Sequence, residues 1–266
     1  MIYALVIIFV LFLIYAAIEN LVILRVRREN FGGNIRIVHI SDLHKRRFGS
    51  ENSRLCRLVE SEKPDMIFIT GDFVSRTQTD LATARITLEK LCRIAPVYII
   101  FGNHEQKLQP EVQKEFISMV RRTDAHLLMN DTVTAEKDGR KLIIAGLLES
   151  HETYKKNDCY RDLEKITSED MEGYLGKCPE GEVILLAHNP LFGEVYAEWG
   201  AEYVMSGHVH GGSVRLFGIA LLSPERTFFP KYSKGVYEIG GTKLLVSAGL
   251  GKIRLFDPPE IVVYDI

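Results

Sequence analysis

The chain has 266 residues, 46% of them hydrophobic, and carries a net charge of −2 at pH 7. This length and composition predict one large domain with a full core. The near-neutral balance gives no bulk attraction to nucleic acid, so no nucleic-acid partner is expected. The four cysteines lack the C-x-x-C spacing and histidine partners of a zinc finger, which excludes that class.

The N-terminal segment predicts a single transmembrane anchor over residues 1–24. Ile2–Ile18 is continuously apolar or aromatic, and a helix of this length approaches the hydrocarbon thickness of about 30 Å. A cleaved signal peptide would need a basic start and an A-x-A-like site, and a buried soluble helix would show a polar stripe. Arg25, Arg27 and Arg28 follow the segment, so the positive-inside rule favours a cytoplasmic domain, with an extracytoplasmic domain as the alternative.

Residues 25–34, which end in Phe31-Gly32-Gly33-Asn34, are predicted to link the anchor to a domain over residues 35–266. Apolar stripes predict helices over Glu51–Glu62, Asp80–Arg93 and Glu111–Arg122. Apolar strands separate these helices, an alternation typical of parallel pairing with helical crossovers.

The later part of the domain changes character. Asp138-Gly139 predicts a hairpin within Thr132–Ala145. Residues 151–182 are polar and charged, and two interpretations stay open: an ordinary surface excursion, or a cap beside a functional site. Short β segments from Ser213 to Ile266 suit a second sheet packed on the first. The predicted class is therefore α/β, with two packed sheets flanked by helices.

Side chains able to ligate a metal follow five apolar strands: Ile35–Ile40, Met66–Thr70, Val97–Phe101, Val183–Leu186 and Tyr203–Ser206. They are Asp42, His44, Asp72, Asn103, His188, His208 and His210. Seven side chains are more than one small cation takes, so two metal ions are expected. Carboxylate, amide and imidazole donors suit Mn²⁺, Fe²⁺ or Zn²⁺, and the absence of thiolate argues against a structural zinc.

The blocks D-x-H, G-D, G-N-H-E, H and G-H-x-H, in this order, resemble the calcineurin-like metallophosphoesterase family. The resemblance covers residues 35–266 and implies a two-sheet αββα sandwich that hydrolyses a phosphate ester with a hydroxide shared between two metals. It implies that Asp72 bridges the two ions. It also implies the two remaining ligand sets, Asp42, His44 and His210 for one ion and Asn103, His188 and His208 for the other.

The resemblance further implies that His104 stabilises the transition state or protonates the leaving oxygen. Many phosphatases of the family orient this histidine with an aspartate three residues after the bridging carboxylate. Ser75 stands there instead, so Glu105 or a backbone carbonyl is expected to orient His104. Arg76 follows and is a candidate for bidentate contact with a phosphate oxygen, an exposed arginine at a helix start being the alternative. The other histidines, His39, His126 and His151, are expected to be structural or solvated.

Two further motifs suggest a branch of the family. His208–Gly212 and Pro258–Ile261 resemble a membrane-associated or exported bacterial branch, some members of which hydrolyse UDP-diacylglucosamine. A lipid-linked or membrane-proximal phosphodiester is therefore the expected substrate. The alternatives are a nuclease or cyclic-nucleotide phosphodiesterase, which the composition does not favour, and a catalytically silent scaffold, which the complete ligand set argues against.

Overall fold

The computed structural model describes residues 2–155, 163–223, 227–251 and 254–266. The helices are α1 Ile2–Leu21, α2 Ser53–Ser61, α3 Ala82–Cys92, α4 Asn103–Gln106, α5 Pro110–Arg121, α6 Ser168–Leu175 and α7 Gly193–Trp199. The strands are β1 Arg25–Asn30, β2 Arg36–Ile40, β3 Met66–Thr70, β4 Val97–Ile100, β5 His126–Leu128, β6 Asp131–Lys137, β7 Arg140–Gly146, β8 Glu182–Leu186, β9 Tyr203–Ser206, β10 Val214–Leu216, β11 Ile219–Leu222, β12 Gly235–Ile239, β13 Thr242–Val246 and β14 Glu260–Asp265.

The strands form two six-stranded sheets and one separate hairpin. The first sheet has the order β1-β14-β2-β3-β4-β5, the second has the order β12-β13-β9-β8-β7-β6, and β10 pairs with β11. Strands β2 to β5 are parallel, as the helical crossovers require. The predicted two-sheet α/β fold is confirmed.

Side chains that alternate between the two faces of each sheet produce the layers of the fold. In β2, Val38 and Ile40 pack against helices, while Ile37 faces the second sheet. Because successive side chains of a strand point to opposite faces, a fully apolar strand can serve both layers. The three predicted helices are confirmed as α2, α3 and α5, and their buried faces cover the outer side of the first sheet. Helices α6 and α7 cover the outer side of the second sheet.

The hairpin predicted at Asp138-Gly139 is confirmed, with Lys137 opposite Arg140 across antiparallel β6 and β7. The expectation for the C-terminal part is only partly right. Strands β12 and β13 join the second sheet, but β14 enters the first sheet between β1 and β2. Local sequence does not specify this insertion, because β14 pairs with strands more than 200 positions earlier in the chain.

The linker predicted over residues 25–34 is wrong for residues 25–30, which form β1 and pair in parallel with β14. Arg27 Nε lies 3.1 Å from Glu260 Oε1, and Arg27 Nη2 donates to Val246 O of the second sheet at 2.9 Å. The strand is polar, so its sequence lacks the usual apolar signal. Its partners are the buried acid Glu260 and backbone groups. The periodicity of apolar residues along the chain does not reveal such partners.

Helix α1 is exposed over most of its length and, among the described residues, is the one helix long and apolar enough to cross a membrane. Its last turns are fastened to the loop after residue 253. Glu19 Oε2 accepts the Phe256 N–H at 2.8 Å. Asn20 exchanges two hydrogen bonds with the backbone of Arg254, at 2.7 and 3.0 Å. The helix therefore meets the domain through a defined contact.

His39 is structural, as expected, and makes the stability of the fold depend on pH. It is fully buried, with Nε2 2.7 Å from Thr70 Oγ1. Burial, helped by the charge of Arg27, lowers the pKa of His39 to about 3. Below the ordinary pKa of about 6.5 the unfolded chain takes up a proton that the folded chain refuses, so stability is lost as pH falls from there toward 3.

We therefore expect His39→Gln, which keeps a polar partner for Thr70 without a titrating ring, to flatten the pH dependence of stability. Between pH 7 and pH 5 the wild-type protein should lose about 2 kcal/mol more unfolding free energy than the variant, since each pKa unit is worth about 1.4 kcal/mol. Urea denaturation in detergent at both pH values measures this difference. Equal losses in the two proteins would contradict it.

Candidate metal centre

All seven predicted ligand residues lie at one edge of the sandwich, where the carboxyl ends of β2, β3 and β4 meet those of β8 and β9. Backbone hydrogen bonds join the loops within each sheet. Asp42 N donates to Gly71 O at 3.2 Å, and Gly207 N donates to His188 O at 3.1 Å. The prediction that five strand ends converge on one site is confirmed in its geometry.

The ligand loops turn sharply. Five of the seven residues have left-handed backbone, with φ between 51° and 67°: Asp42, His44, Asp72, His208 and His210. Such a conformation is uncommon outside glycine and costs on the order of 1–3 kcal/mol per residue. It persists where surrounding contacts fix it. Here it turns the chain back as each strand ends and directs the side chains toward one point.

Glu105 supplies one of those contacts. It is fully buried and accepts three backbone N–H groups, from Asp72 at 2.8 Å, Gly102 at 2.8 Å and Val74 at 2.9 Å. These bonds tie the loop after β3 to the loop after β4. The approach leaves no room for a side chain at position 102, where a Cβ would lie 2.3 Å from Asp72 Oδ1.

The expectation that Glu105 or a backbone carbonyl orients His104 is therefore wrong. Instead, His104 Nδ1 accepts the backbone N–H of Arg76 at 3.3 Å. An accepting Nδ1 carries no hydrogen, so the neutral ring carries its hydrogen on Nε2. Burial lowers the pKa of His104, which favours this neutral form. His104 Nε2 lies 3.9 Å from Asp72 Oδ2, beside the cavity.

Asp42, His44 and His210 form the first donor cluster. His210 Nε2 lies 3.4 Å from both Asp42 Oδ1 and His44 Nε2. Asp42 Oδ2 accepts from Ser41 Oγ at 2.7 Å, whereas the buried Oδ1 has no hydrogen-bond partner among the residues that the structure describes. Burial lowers the pKa of His44 to about 4 and holds the pKa of His210 well below its ordinary value, so both rings are neutral and offer lone pairs. An unsatisfied carboxylate oxygen facing two neutral imidazoles suits a cation.

His188, Asn103 and Asp72 form the second cluster. His188 Nε2 lies 3.2 Å from Asn103 Oδ1 and 3.5 Å from Asp72 Oδ2. His188 Nδ1 donates to Thr70 O at 2.7 Å, which aims Nε2 at the site. The ring of His208 packs against that of His188, with centroids 5.0 Å apart.

In the second cluster, Asp72 and His188 each stabilise the charged form of the other. Burial alone would raise the pKa of Asp72, but the adjacent His188 holds it well below its ordinary value. Burial likewise opposes a charge on His188, yet Asp72 raises the pKa of His188 to about 10. The metal-free pair is therefore an ion pair, and a cation that binds His188 Nε2 displaces a proton.

Asp72 joins the two clusters. Its Oδ2 lies 3.8 Å from His44 Nε2 on one side and 3.5 Å from His188 Nε2 on the other. Its Oδ1 is fixed by the His104 N–H at 2.8 Å. One carboxylate oxygen between two sets of donors is the arrangement that two neighbouring divalent ions require.

The cavity over these side chains has a volume of about 240 Å³ and is also lined by Arg76 and His104. Three further lining residues, His151, Tyr154 and Lys155, open the polar segment 151–182. His151 was expected to be solvated or structural, and sequence reasoning gave the other two no role. The signal that could have found them is that β7 runs parallel to β8, so the chain after β7 also emerges at the ligand edge.

Tyr154 is held against the centre by a buried acid. Its hydroxyl donates to Glu149 Oε2 at 2.6 Å, and its ring lies edge-on to His208 with centroids 4.8 Å apart. Glu149 Oε1 also accepts from Tyr196 at 3.0 Å and from the Asn189 N–H at 3.1 Å. The later part of the segment, with Met171 of α6, packs on the second sheet.

Comparisons with known proteins agree with this geometry. A family model described as calcineurin-like phosphoesterase matches residues 35–212. The chain is 24% identical to phosphodiesterase YaeI of Escherichia coli, over 87% of this chain and 82% of that protein. It is also 24% identical to the UDP-2,3-diacylglucosamine pyrophosphatase LpxG of Chlamydia muridarum, over 86% and 82%. The phosphopantetheinyl hydrolase PptH of Mycobacterium tuberculosis shares the fold, with a TM-score of 0.51, 16% identity and coverage of 80% and 88%.

We expect Asp72→Asn and His104→Ala to fail in different ways. Asp72→Asn removes the charge shared by the two clusters, and metal affinity should fall at least about 100-fold. His104→Ala leaves both clusters intact, so metal content should persist while turnover falls about 10²- to 10⁴-fold. Elemental analysis and hydrolysis of a chromogenic phosphodiester separate the two effects, with His126→Ala as an exposed control. Loss of metal from His104→Ala equal to that from Asp72→Asn would contradict the assignment.

Proposed function

The chain belongs to the calcineurin-like phosphoesterase family of hydrolases, and we propose that it cleaves a phosphodiester at a membrane surface. The observation that carries this proposal is the position of Asp72 Oδ2 between two sets of metal donors. The donor set is oxygen and nitrogen without thiolate, which suits Mn²⁺, Fe²⁺ or Zn²⁺.

We assign the ligands as follows. Asp72 would be shared between two ions, and three further residues would hold each ion. Those of the first are Asp42, His44 and His210, and those of the second are Asn103, His188 and His208. When bound, such ions stabilise negative charge on a phosphoryl group and produce a nucleophile from water near neutral pH.

The chain's own contribution is to orient the ester. His104 presents Nε2–H to the cavity and donates to the leaving oxygen, because the Arg76 backbone N–H occupies Nδ1. The exposed side chain of Arg76 lines the same cavity and can bind a non-bridging phosphate oxygen. Tyr154, held by Glu149, also lines this cavity, so we propose that the first residues of segment 151–182 serve as a cap.

A second cavity supports a diester over a monoester. It also has a volume of about 240 Å³ and meets the first at His44. Its lining includes Lys45, Arg46 and Arg47, which suit a second substituent on phosphorus that is polar or anionic. A monoester would leave this cavity unused. By their names, YaeI is a phosphodiesterase and LpxG is a UDP-2,3-diacylglucosamine pyrophosphatase.

Helix α1 supports action at a membrane. Its 20 residues, which are apolar or aromatic apart from Glu19 and Asn20, span about 30 Å at 1.5 Å per residue. We propose that α1 is a single transmembrane anchor and that the substrate is lipid-linked. The arginines after α1 favour a cytoplasmic domain. Arg27 and Arg28 are paired with Glu260 and Glu62 in the folded domain, and an extracytoplasmic domain is the alternative.

The substrate class is tested by a panel assayed with added Mn²⁺. We expect kcat/KM for bis-p-nitrophenyl phosphate to exceed that for p-nitrophenyl phosphate at least about tenfold, because only the diester reaches both cavities. The panel should include UDP-diacylglucosamine, phospholipids, cyclic nucleotides and single-stranded DNA. Faster cleavage of the monoester would contradict the diester assignment. Faster cleavage of cyclic nucleotides or DNA would favour the alternative phosphodiesterase or nuclease.

The role of the anchor is tested by deleting residues 2–18, which removes the apolar segment but keeps Glu19 and Asn20 at their contacts. Cleavage of a soluble chromogenic diester should stay within about twofold of the full-length rate. Cleavage of a phosphodiester embedded in vesicles should fall about 10- to 100-fold, since the anchor raises the local concentration at the surface. Equal vesicle rates for the full-length and truncated proteins would be compatible with a membrane anchor but would contradict a lipid-linked substrate.

A further inference from the structure

The hairpin that follows the last metal-binding motif exposes a patch of large apolar side chains. Phe217 at its turn is 99% exposed, Phe228 73% and Phe229 66%. Together with Leu216, Ile219 and Phe256 these residues form what we call the aromatic patch. Contiguous exposed apolar surface is unusual on a soluble face and marks a site of contact with protein or lipid.

Backbone hydrogen bonds hold the patch together. Phe229 N donates to Leu221 O at 3.2 Å, which fixes Phe228 and Phe229 beside β11. Arg215 N donates to Leu255 O at 3.0 Å and Leu255 N donates to Ser213 O at 3.2 Å. Phe256, next in the chain, therefore lies beside the base of the hairpin. The patch is part of the folded domain.

The same loop lies along α1. The ring of Phe256 is 5.6 Å from that of Tyr15 and 6.3 Å from that of Phe12, between centroids. Tyr15 precedes the helix end at Leu21 by six residues and Phe12 by nine. At 1.5 Å per residue, Phe256 contacts the helix about 9 to 14 Å before its C-terminal end. With α1 across the membrane as proposed above, this contact would lie inside the hydrocarbon layer.

We propose that the aromatic patch inserts into the bilayer beside α1, so that the protein meets lipid through two elements. This inference depends on the proposed membrane anchoring. A second copy of the chain is less suited as the occupant, because the patch is continuous with a helix that is itself surrounded by lipid. Phenylalanine and isoleucine side chains are also those that a shallow membrane insertion uses.

Insertion would hold the mouth of the metal centre at the lipid surface. The hairpin begins four residues after His210, and the loop that carries Phe256 follows Gly251, where a Cβ would lie 2.3 Å from His210 Nδ1. The β10–β11 hairpin and the loop that carries Phe256 are therefore both next to His210, a proposed metal ligand. The class of substrate that this arrangement admits is a phosphodiester whose lipid chains stay in the membrane while its head group enters the cavity.

Depth-dependent fluorescence tests the insertion on the full-length protein. Phe217→Trp and Phe228→Trp place reporters in the patch, Phe9→Trp places one in α1, and Lys114→Trp places one on α5, next to the strand farthest from β1 in the first sheet. Trp199, the chain's single tryptophan, is buried and gives a background common to all variants. Each protein is reconstituted in vesicles of phosphatidylcholine and phosphatidylglycerol, with and without brominated phosphatidylcholine.

We expect brominated lipid to reduce the added emission of both patch reporters at least about twofold, as it should for Phe9→Trp, and to leave Lys114→Trp unchanged. Quenching of Phe9→Trp without quenching of either patch reporter would overturn the insertion and leave the anchor standing. No quenching at any position would overturn the anchoring and the insertion together. Patch reporters shielded from aqueous iodide but not quenched by brominated lipid would indicate a second copy of the chain and overturn the lipid assignment.

Discussion

The centre depends on one buried carboxylate that is not itself a metal donor. Glu105 accepts N–H groups from Asp72, Val74 and Gly102, and so fixes the loop after β3 against the loop after β4. Without this contact, all three N–H groups would lose their acceptor, which is unfavourable in an interior that excludes water. The contact also explains why glycine stands at position 102, where the two loops approach most closely.

Each donor cluster combines residues from both sheets, so both clusters depend on the two sheets keeping their relative position. Arg27 of β1 donates across to Val246 of the second sheet at 2.9 Å. Arg140 of β7 donates to Ile266 O at 2.9 Å, beyond the end of β14. Both are contacts of a guanidinium with a backbone carbonyl from the other sheet. The shared apolar layer between the sheets then sets their spacing, and with it the separation of Asp72 from His188.

The features that the sequence predicted are those that depend on the local pattern of residue types. Every proposed ligand position was predicted from apolar strands that end in a polar side chain, and the crossover helices were predicted from their apolar stripes. β1 was missed because its charged residues are satisfied by partners distant in the chain. Tyr154 and Glu149 were missed because a buried acid–phenol pair has no periodic signature. The orientation of His104 was missed because a backbone N–H leaves no trace in residue identity.

The left-handed backbone of the ligand loops has a consequence for how this protein can change. At His44 and His210, glycine would relieve the left-handed backbone without breaking the buried Asp72–His188 ion pair. The same replacement would delete a proposed metal ligand. Selection for thermal robustness and selection for turnover therefore push these positions in opposite directions, and a descendant freed from catalysis is expected to drift toward glycine there first.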